Sequence, residues 1–304
     1  MKSKARLFRT IRWISVLGTG LLGWCGSVGA WAVEAGGHEG LSPAAPVLFH
    51  LGPLPVTNSM VITWITALVL IVGVRIAMRN PKPVPEGAQN LVEWIVEGVY
   101  NFFAGILGER LCRRTFWFFA TLLIFITATN YFGLIPGVGS IGWGVGKHWY
   151  NLEITRPLFR GGNADLNMTF AMAILFFILW FVWAIQENGI LGFLRHIFGL
   201  KGGGFTKFVA FLLGILFFFV GLIEVVSIFF RPIALAFRLY GNIFAGENMI
   251  EGITLIGGYF GWLLAVPFYF LELLFGFVQA LVFSLLSAIF LLEICMHEEE
   301  GSGH

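Results

Sequence analysis

Residues 224–251 read EVVSIFFRPIALAFRLYGNIFAGENMIE. The run is apolar enough to lie in a bilayer, yet it carries Arg231, Arg238, Asn242, Glu247 and Asn248. Arg238 sits too deep in it to reach water by extending its side chain. A cation at that depth costs about 2.5–3.5 kcal/mol on insertion scales, a cost that marks a residue with a use. On one helix Glu224, Arg231 and Arg238 recur at seven-residue spacing and share a face, provided Pro232 does not rotate it. Asn242 lies one turn beyond Arg238. Glu247 is nine residues from Arg238, close to half a rotation away, and so looks into a different cavity. A fixed cation between carboxylates on separated faces describes an ion path with a barrier in its middle.

The surrounding chain supports a membrane solvent. Of 304 residues, 58% are hydrophobic and 12% charged, whereas soluble domains carry about 25% charge. A net charge of +2 gives no reason to expect nucleic acid. The patterns GxxxxGK[ST], HExxH and GxSxG are absent, so neither a nucleotide site, a cofactor nor a catalytic site is expected on this chain. Cys25, Cys112 and Cys295 are too dispersed for a disulfide framework or a metal site. The 39 glycines suit closely packed membrane helices.

Residues 1–32 have a basic start (Lys2, Lys4, Arg6, Arg9, Arg12), an apolar stretch from Trp13, and Ala30-Trp31-Ala32 at the end. This is the pattern of a signal peptide, with a retained first membrane helix as the alternative. Residues 33–57 read as an irregular external arm whose His38 and His50 are too sparse for a metal site. The membrane domain is expected over 58–295. Its first span, Asn58–Met78, ends in Arg75, Arg79 and Lys82, which places that end in the cytoplasm and the mature N-terminus outside. In Glu86–Glu109 an apolar stripe (Leu91, Trp94, Ile95, Phe102, Ile106) opposes Glu93, Glu97 and Asn101, predicting an amphipathic helix at the interface or on a partner. Arg110, Arg113 and Arg114 precede a second span, Phe116–Ile135. A glycine-rich, aromatic stretch over 136–165 with few positive charges reads as an external loop. Leu166–Ile185 crosses back to a connection holding Arg195, His196, Lys201 and Lys207.

From Phe208 to Ile256 the apolar run is more than twice the ~20 residues a perpendicular helix needs. Either two spans meet at Arg231-Pro232 or one long helix crosses obliquely; with no polar turn cluster between the halves, the oblique helix is preferred. Gly257-Gly258 makes the turn, and Phe260–Ile294 is overlong again, with Pro267, Glu272 and Gln279 inside. Residues 296–304 form an acidic cytoplasmic tail. The expected fold is all-α and polytopic: about five spans plus one interfacial helix, the last two spans long and tilted as a hairpin.

Glu272 and Gln279 are seven apart, so their shared face can meet Asn242 or Glu247 across that hairpin. Two carboxylates near each other share a proton, which suits a relay. Arginine stays charged and cannot relay; its natural role is a fixed positive charge that blocks proton passage and forces a facing carboxylate to ionise. Packing readings compete at each position. Arg238 could be half of an internal ion pair, Arg231 an anchor, and Glu224 only the partner of Arg231. Asn242, Asn248 and Gln279 could merely hydrogen-bond helices together, and Glu251 could be interfacial.

The segment Phe237-Arg238-Leu239-Tyr240-Gly241-Asn242-Ile243-Phe244-Ala245-Gly246-Glu247 resembles the signature of subunit a of the F-type ATP synthase, the static proton-channel subunit beside the rotating c-ring. Asn130–Pro136, Ala164–Thr169 and Gln279–Phe283 are similar to other segments of that family, and the likeness covers roughly residues 45–295. The resemblance implies that Arg238 is the arginine facing each c-subunit carboxylate. It places Asn242, Glu247 and Gln279 in the half-channel open to the outside, and Glu224 near the cytoplasmic one. Glu272 falls where members carry histidine or glutamate; with glutamates at both 247 and 272, a histidine-dependent relay does not apply. The implied setting is a bacterial inner membrane, with the c-ring, b-type peripheral stalk subunits and lipid as partners, no nucleotide on this chain, and the C-terminus in the cytoplasm. Arg231, Asn248 and Glu251 are secondary candidates.

Two other functions compete. A secondary ion-coupled transporter with an inverted repeat would show matching broken segments in its halves, but here the polar residues crowd into the last third. A structural scaffold would tolerate loss of Arg238.

Overall fold

A computed structural model of the chain describes residues 45–52, 54–135, 141–145, 153–198, 207–257 and 260–296. The signal-like segment 1–32, most of the expected arm, Lys201 and the acidic tail beyond Met296 lie outside the described residues. The described part is built on long helices: α1 (Asn58–Ala77), α2 (Ala88–Gly133), α3 (Leu166–Phe198), α4 (Lys207–Ile256) and α5 (Gly261–Met296). All five are long and apolar enough to cross a membrane, so the polytopic all-α expectation holds.

Two short hairpins add to it. In the arm, β1 (Val47–Leu51) pairs antiparallel with β2 (Leu54–Thr57). In the loop, β3 (Gly142–Val145) pairs with β4 (Glu153–Pro157). The irregular reading of the arm is corrected here, and the stretch read as a loop carries a hairpin that the reading did not anticipate. The glycines and prolines of both segments hid strands too short for an alternating pattern to register.

Within α2 the amphipathic helix and the second span are two helices that meet at a kink at Gly108, whose non-helical φ of 74° and ψ of 157° favour glycine. Before the bend, Phe103 and Leu107 are buried in the core, with Val96, Val99 and Tyr100 packed against it. Leu91, Trp94, Ile95 and Phe102 point away from the chain, leaving an apolar strip of the kind that lies along a membrane interface. Likewise α3 continues past Gln186 to Phe198 through a break at Gly189 (φ 68°). Arg195 and His196 are therefore helical rather than in an open connection.

α4 runs unbroken through Pro232, which decides between the two readings of the 208–256 run. At about 1.5 Å per residue its 50 residues are about 75 Å long, more than twice a ~30 Å hydrocarbon core. Such a helix cannot stand upright within the hydrocarbon. Gly257 makes the turn: its N–H donates to Ile253 (3.0 Å) and its carbonyl accepts from Phe260 (3.0 Å). A Cβ at Gly261 would overlap the Thr254 carbonyl, so α5 can start only with a residue lacking one.

α4 packs against α3 and α5, and α5 against α2. The core holds Phe103, Phe118, Phe119, Ile126, Phe176, Leu239, Phe283 and Leu291, interleaved with Ala236, Ala280 and Ala288. Small residues let membrane helices approach closely. Four buried threonines are satisfied locally: Thr63, Thr66, Thr115 and Thr129 each donate to the carbonyl four residues back (2.8–2.9 Å). Without water in the bilayer core, such internal satisfaction is required.

At the basic end, Arg114 of α2 contacts Glu187 and Gln186 of α3. Asn188 Nδ2 donates to the Ile294 carbonyl at 2.8 Å, and Trp180 Nε1 to that of Phe290 at 2.9 Å. These bonds fasten α3 to α2 and α5.

Candidate functional site

The segment just before α3 decides the site. Leu158–Asp165 passes into the bundle as a wedge containing a single 3-10 turn, Gly162–Ala164, and residues 160–165 are all buried. Two glycines allow the insertion. A Cβ at Gly162 would overlap Thr63 Oγ1, and one at Gly161 would overlap Glu247 Oε1. The wedge is tied on two sides. Ser59 Oγ of α1 donates to Asp165 Oδ2 at 2.5 Å; Asn163 Nδ2 donates to Asn130 Oδ1 of α2 at 2.6 Å. Asn130 Nδ2 in turn donates to the Gly276 carbonyl of α5 at 2.8 Å. One chain of hydrogen bonds thus joins wedge, α2 and α5.

This wedge places Arg160 against Glu247. Arg160 is only 5% exposed, its Nε is 3.8 Å from Glu247 Oε2, and its guanidinium carbon lies 5.7 Å from the centre of the Phe244 ring. The Gly161 backbone N–H also donates to the Glu247 carboxylate. From the other side comes Glu272 of α5, buried (2% exposed) and pressed so closely on α4 that a Cβ at Gly246 would overlap its carboxylate. Gly246 and Glu247 are adjacent, so the two carboxylates meet at one level of the hairpin.

The face shared by Glu272 and Gln279 meets α4: Asn242 Nδ2 donates to Gln279 Oε1 at 2.7 Å. A polar track therefore follows the α4–α5 seam from Glu247 and Glu272 to Asn242 and Gln279. It stops short of Arg238, one turn further along α4.

Arg238 is different. It is exposed, and no hydrogen bond or ion pair links it to any other described residue. Around it the surface is apolar: Phe229, Phe230 and Phe237 are 57%, 60% and 51% exposed. A permanent cation on such a face has not met its partner among the described residues. At about 1.5 Å per residue, Arg238 lies about 21 Å along α4 from Glu224 and about 13 Å from Glu247. The two carboxylates thus flank it on opposite sides.

Among the secondary candidates, Arg231 forms a bidentate pair with Glu293 of α5 (2.9 and 3.4 Å) and stacks 4.7 Å from the Phe290 ring centre. The partner it has on α5 makes anchoring the reading its geometry favours. Asn248 Nδ2 donates to the Phe244 carbonyl of its own helix (2.7 Å). Glu224 and Glu251 are half-buried.

Sequence reasoning missed Arg160, and with it the anchoring roles of Ser59, Asn130 and Asn163. Arg160 stands among glycines in a stretch that reads as an exposed loop. The signal available was Arg160-Gly161-Gly162-Asn163: two glycines beside a charge mark a backbone that must approach something closely.

The family model described as ATP synthase A chain matches residues 60–292. The chain is 30% identical to ATP synthase subunit a of Moorella thermoacetica over 244 residues, covering 80% of this chain and 93% of that one. It is 31% identical to ATP synthase subunit a of Trichlorobacter lovleyi over 251 residues, 83% and 92% of the two chains. With the protein of the same name from Syntrophobacter fumaroxidans the identity is 30% over 232 residues, 75% and 80% of the two. A match over most of the chain, on a bundle of membrane-length helices holding a buried polar seam, leaves one assignment: the chain belongs to the ATP synthase A chain family, that of subunit a, the non-catalytic proton-channel component of the F-type ATP synthase.

Proposed function

We propose that this chain moves protons through two half-channels offset on either side of Arg238, exchanging them with carboxylates on a ring of c subunits that turns against the exposed face of α4. The outer half-channel is the seam of Glu247, Glu272, Asn242 and Gln279; the inner one opens near Glu224. A proton arriving from outside neutralises a ring carboxylate, which then turns into lipid. After nearly a full turn that carboxylate reaches the Glu224 side and releases its proton to the cytoplasm. Arg238 keeps the intervening carboxylate ionised by opposite charge and denies protons a direct path. A potential of 100 mV supplies about 2.3 kcal/mol per proton, so the ring must sum several protons for each ATP made.

The observation that carries this reading is the contrast between Arg238, exposed without a described partner on an apolar face, and the buried polar seam beside it. Arg231, held to α5 through Glu293, is a fixed strut in this scheme, with Asn248 and Glu251 in supporting positions. The basic clusters at Arg75–Lys82 and Arg110–Arg114 orient the chain with those ends and the C-terminus in the cytoplasm of a bacterial inner membrane. Residues 1–32 then act as a signal peptide. The apolar strip of Leu91, Trp94, Ile95 and Phe102 rests at the lipid interface, beside b-type stalk subunits.

The test is ATP-driven acidification of sodium-free vesicles bearing the whole complex. The native complex acidifies the lumen, and R238A abolishes acidification. Pumping at the native rate in R238A would favour a scaffold, and uptake driven by the isolated chain would favour a secondary transporter.

A further inference from the structure

We propose that Arg160 is a positioning counter-charge for the outer half-channel: it holds Glu247 as the ionised member of the Glu247–Glu272 pair, leaving Glu272 to carry the transferred proton. The inference rests on the half-channel reading above and adds to it a residue and a division of labour.

The geometry is that of a built site. Arg160 is buried and sits 3.8 Å from Glu247. Its backbone is fixed by the Ser59–Asp165 and Asn163–Asn130 bonds and by two glycines that admit no side chain. Two features converge on the Glu247 carboxylate, a guanidinium and the Gly161 N–H, and both suit an anion. The Phe244 ring, 5.7 Å from the guanidinium carbon, presents its face to the cation and helps hold it there. Glu272 has no such cation: among the described residues no ion pair reaches it, and its Oε1 is buried without a hydrogen-bond partner. A carboxyl group in that setting is the one suited to hold a proton.

Other charged or titratable groups bear on the pair. Asp165 lies on the wedge, Tyr240 and Glu251 on α4, and Glu272 on α5. α1 and α2 contribute only neutral side chains there, Ser59, Thr63 and Asn130. Among these described groups the guanidinium is the sole cation, and its removal leaves an excess of negative charge. Glu247 then retains a proton under conditions where it should be charged, and the relay jams on the acid side.

The experiment is passive proton flow through vesicles stripped of the catalytic head but retaining ring and stalk, across a pH series. In R160Q the acid-side midpoint of the flow profile moves upward by about 1–3 pH units, the range for losing an opposite charge at this distance. R160K, which keeps the charge, restores the midpoint to within about half a unit of native. R160Q/E247Q is no slower than E247Q alone, because Arg160 acts through Glu247. An R160Q profile that superimposes on the native one overturns the assignment, as do losses in the double variant that multiply. If R160Q does not assemble with the ring, the charge-free R160Q/E247Q should; failure of both variants to assemble would assign Arg160 to folding alone. R238A separates this inference from the half-channel reading: loss of pumping in R238A with an unmoved R160Q profile removes only the role of Arg160.

Discussion

Arg238 and Arg160 are both cations set in apolar surroundings, one outside the bundle and one within it, and those settings divide their work. Arg160 is enclosed and matched to Glu247; Arg238 stands on the outer face of α4 with no hydrogen bond or ion pair to any described residue. The carboxylates follow the same logic, since Glu247 and Glu272 meet across the seam while Glu224 lies on the far side of Arg238. E247Q and E272Q should each slow passive proton flow on the order of 100-fold, the scale of losing one positioned proton-transfer group. The double variant should be little worse than either single, since they act as a unit. If both singles conduct at the native rate, the relay is elsewhere. Arg238, Glu247 and Glu272 were legible in the sequence because charge inside an apolar run is costly and therefore conspicuous. Arg160 was not, because its apolar surroundings come from α4 and from the wedge's insertion into the bundle, which no local stretch reveals.

Among the elements, the α4–α5 hairpin positions the site, and Gly246 sets its closeness. G246A puts a methyl group where the Glu272 carboxylate lies. It should destabilise the chain by about 1–3 kcal/mol through overpacking and slow proton flow in whatever complex assembles. Gly252, on the same helix, has open space at its Cβ position, so G252A should leave thermal stability of the purified complex unchanged within about 0.5 kcal/mol. Equal effects at the two positions would refute close packing at Glu272. The long helices were readable from the length of their apolar runs, and the unbroken passage through Pro232 from the absence of any polar turn. The amphipathic helix and the second span were legible as separate helices, and the kink at Gly108 falls close to the boundary that the change from stripe to continuous apolar run predicts. The wedge resisted reading altogether: its glycines signal a turn, and only α1, α2 and α4 together make it an interior element.

Across the whole molecule, the polar groups are partitioned. Hydrogen bonds tie the wedge to α1 and α2, the α4–α5 seam carries the track, and the apolar face of α4 displays Arg238 outward. Five spans in alternating direction put the wedge and the Glu247–Glu272 level on the side opposite the basic clusters, and Arg231–Glu293 on the basic side, so that Arg238 lies between two differently exposed ends. That partition is what the proposed scheme requires, in which a second protein supplies an acid to the exposed face. The most direct measurement is the position of the Arg238 guanidinium in the assembled complex in a membrane, determined by electron cryo-microscopy. The guanidinium is predicted to face a carboxylate of an adjacent ring subunit within about 4–6 Å, the range over which an opposite charge favours ionisation. A guanidinium surrounded by bulk water, or directed away from every neighbouring subunit, would contradict the account.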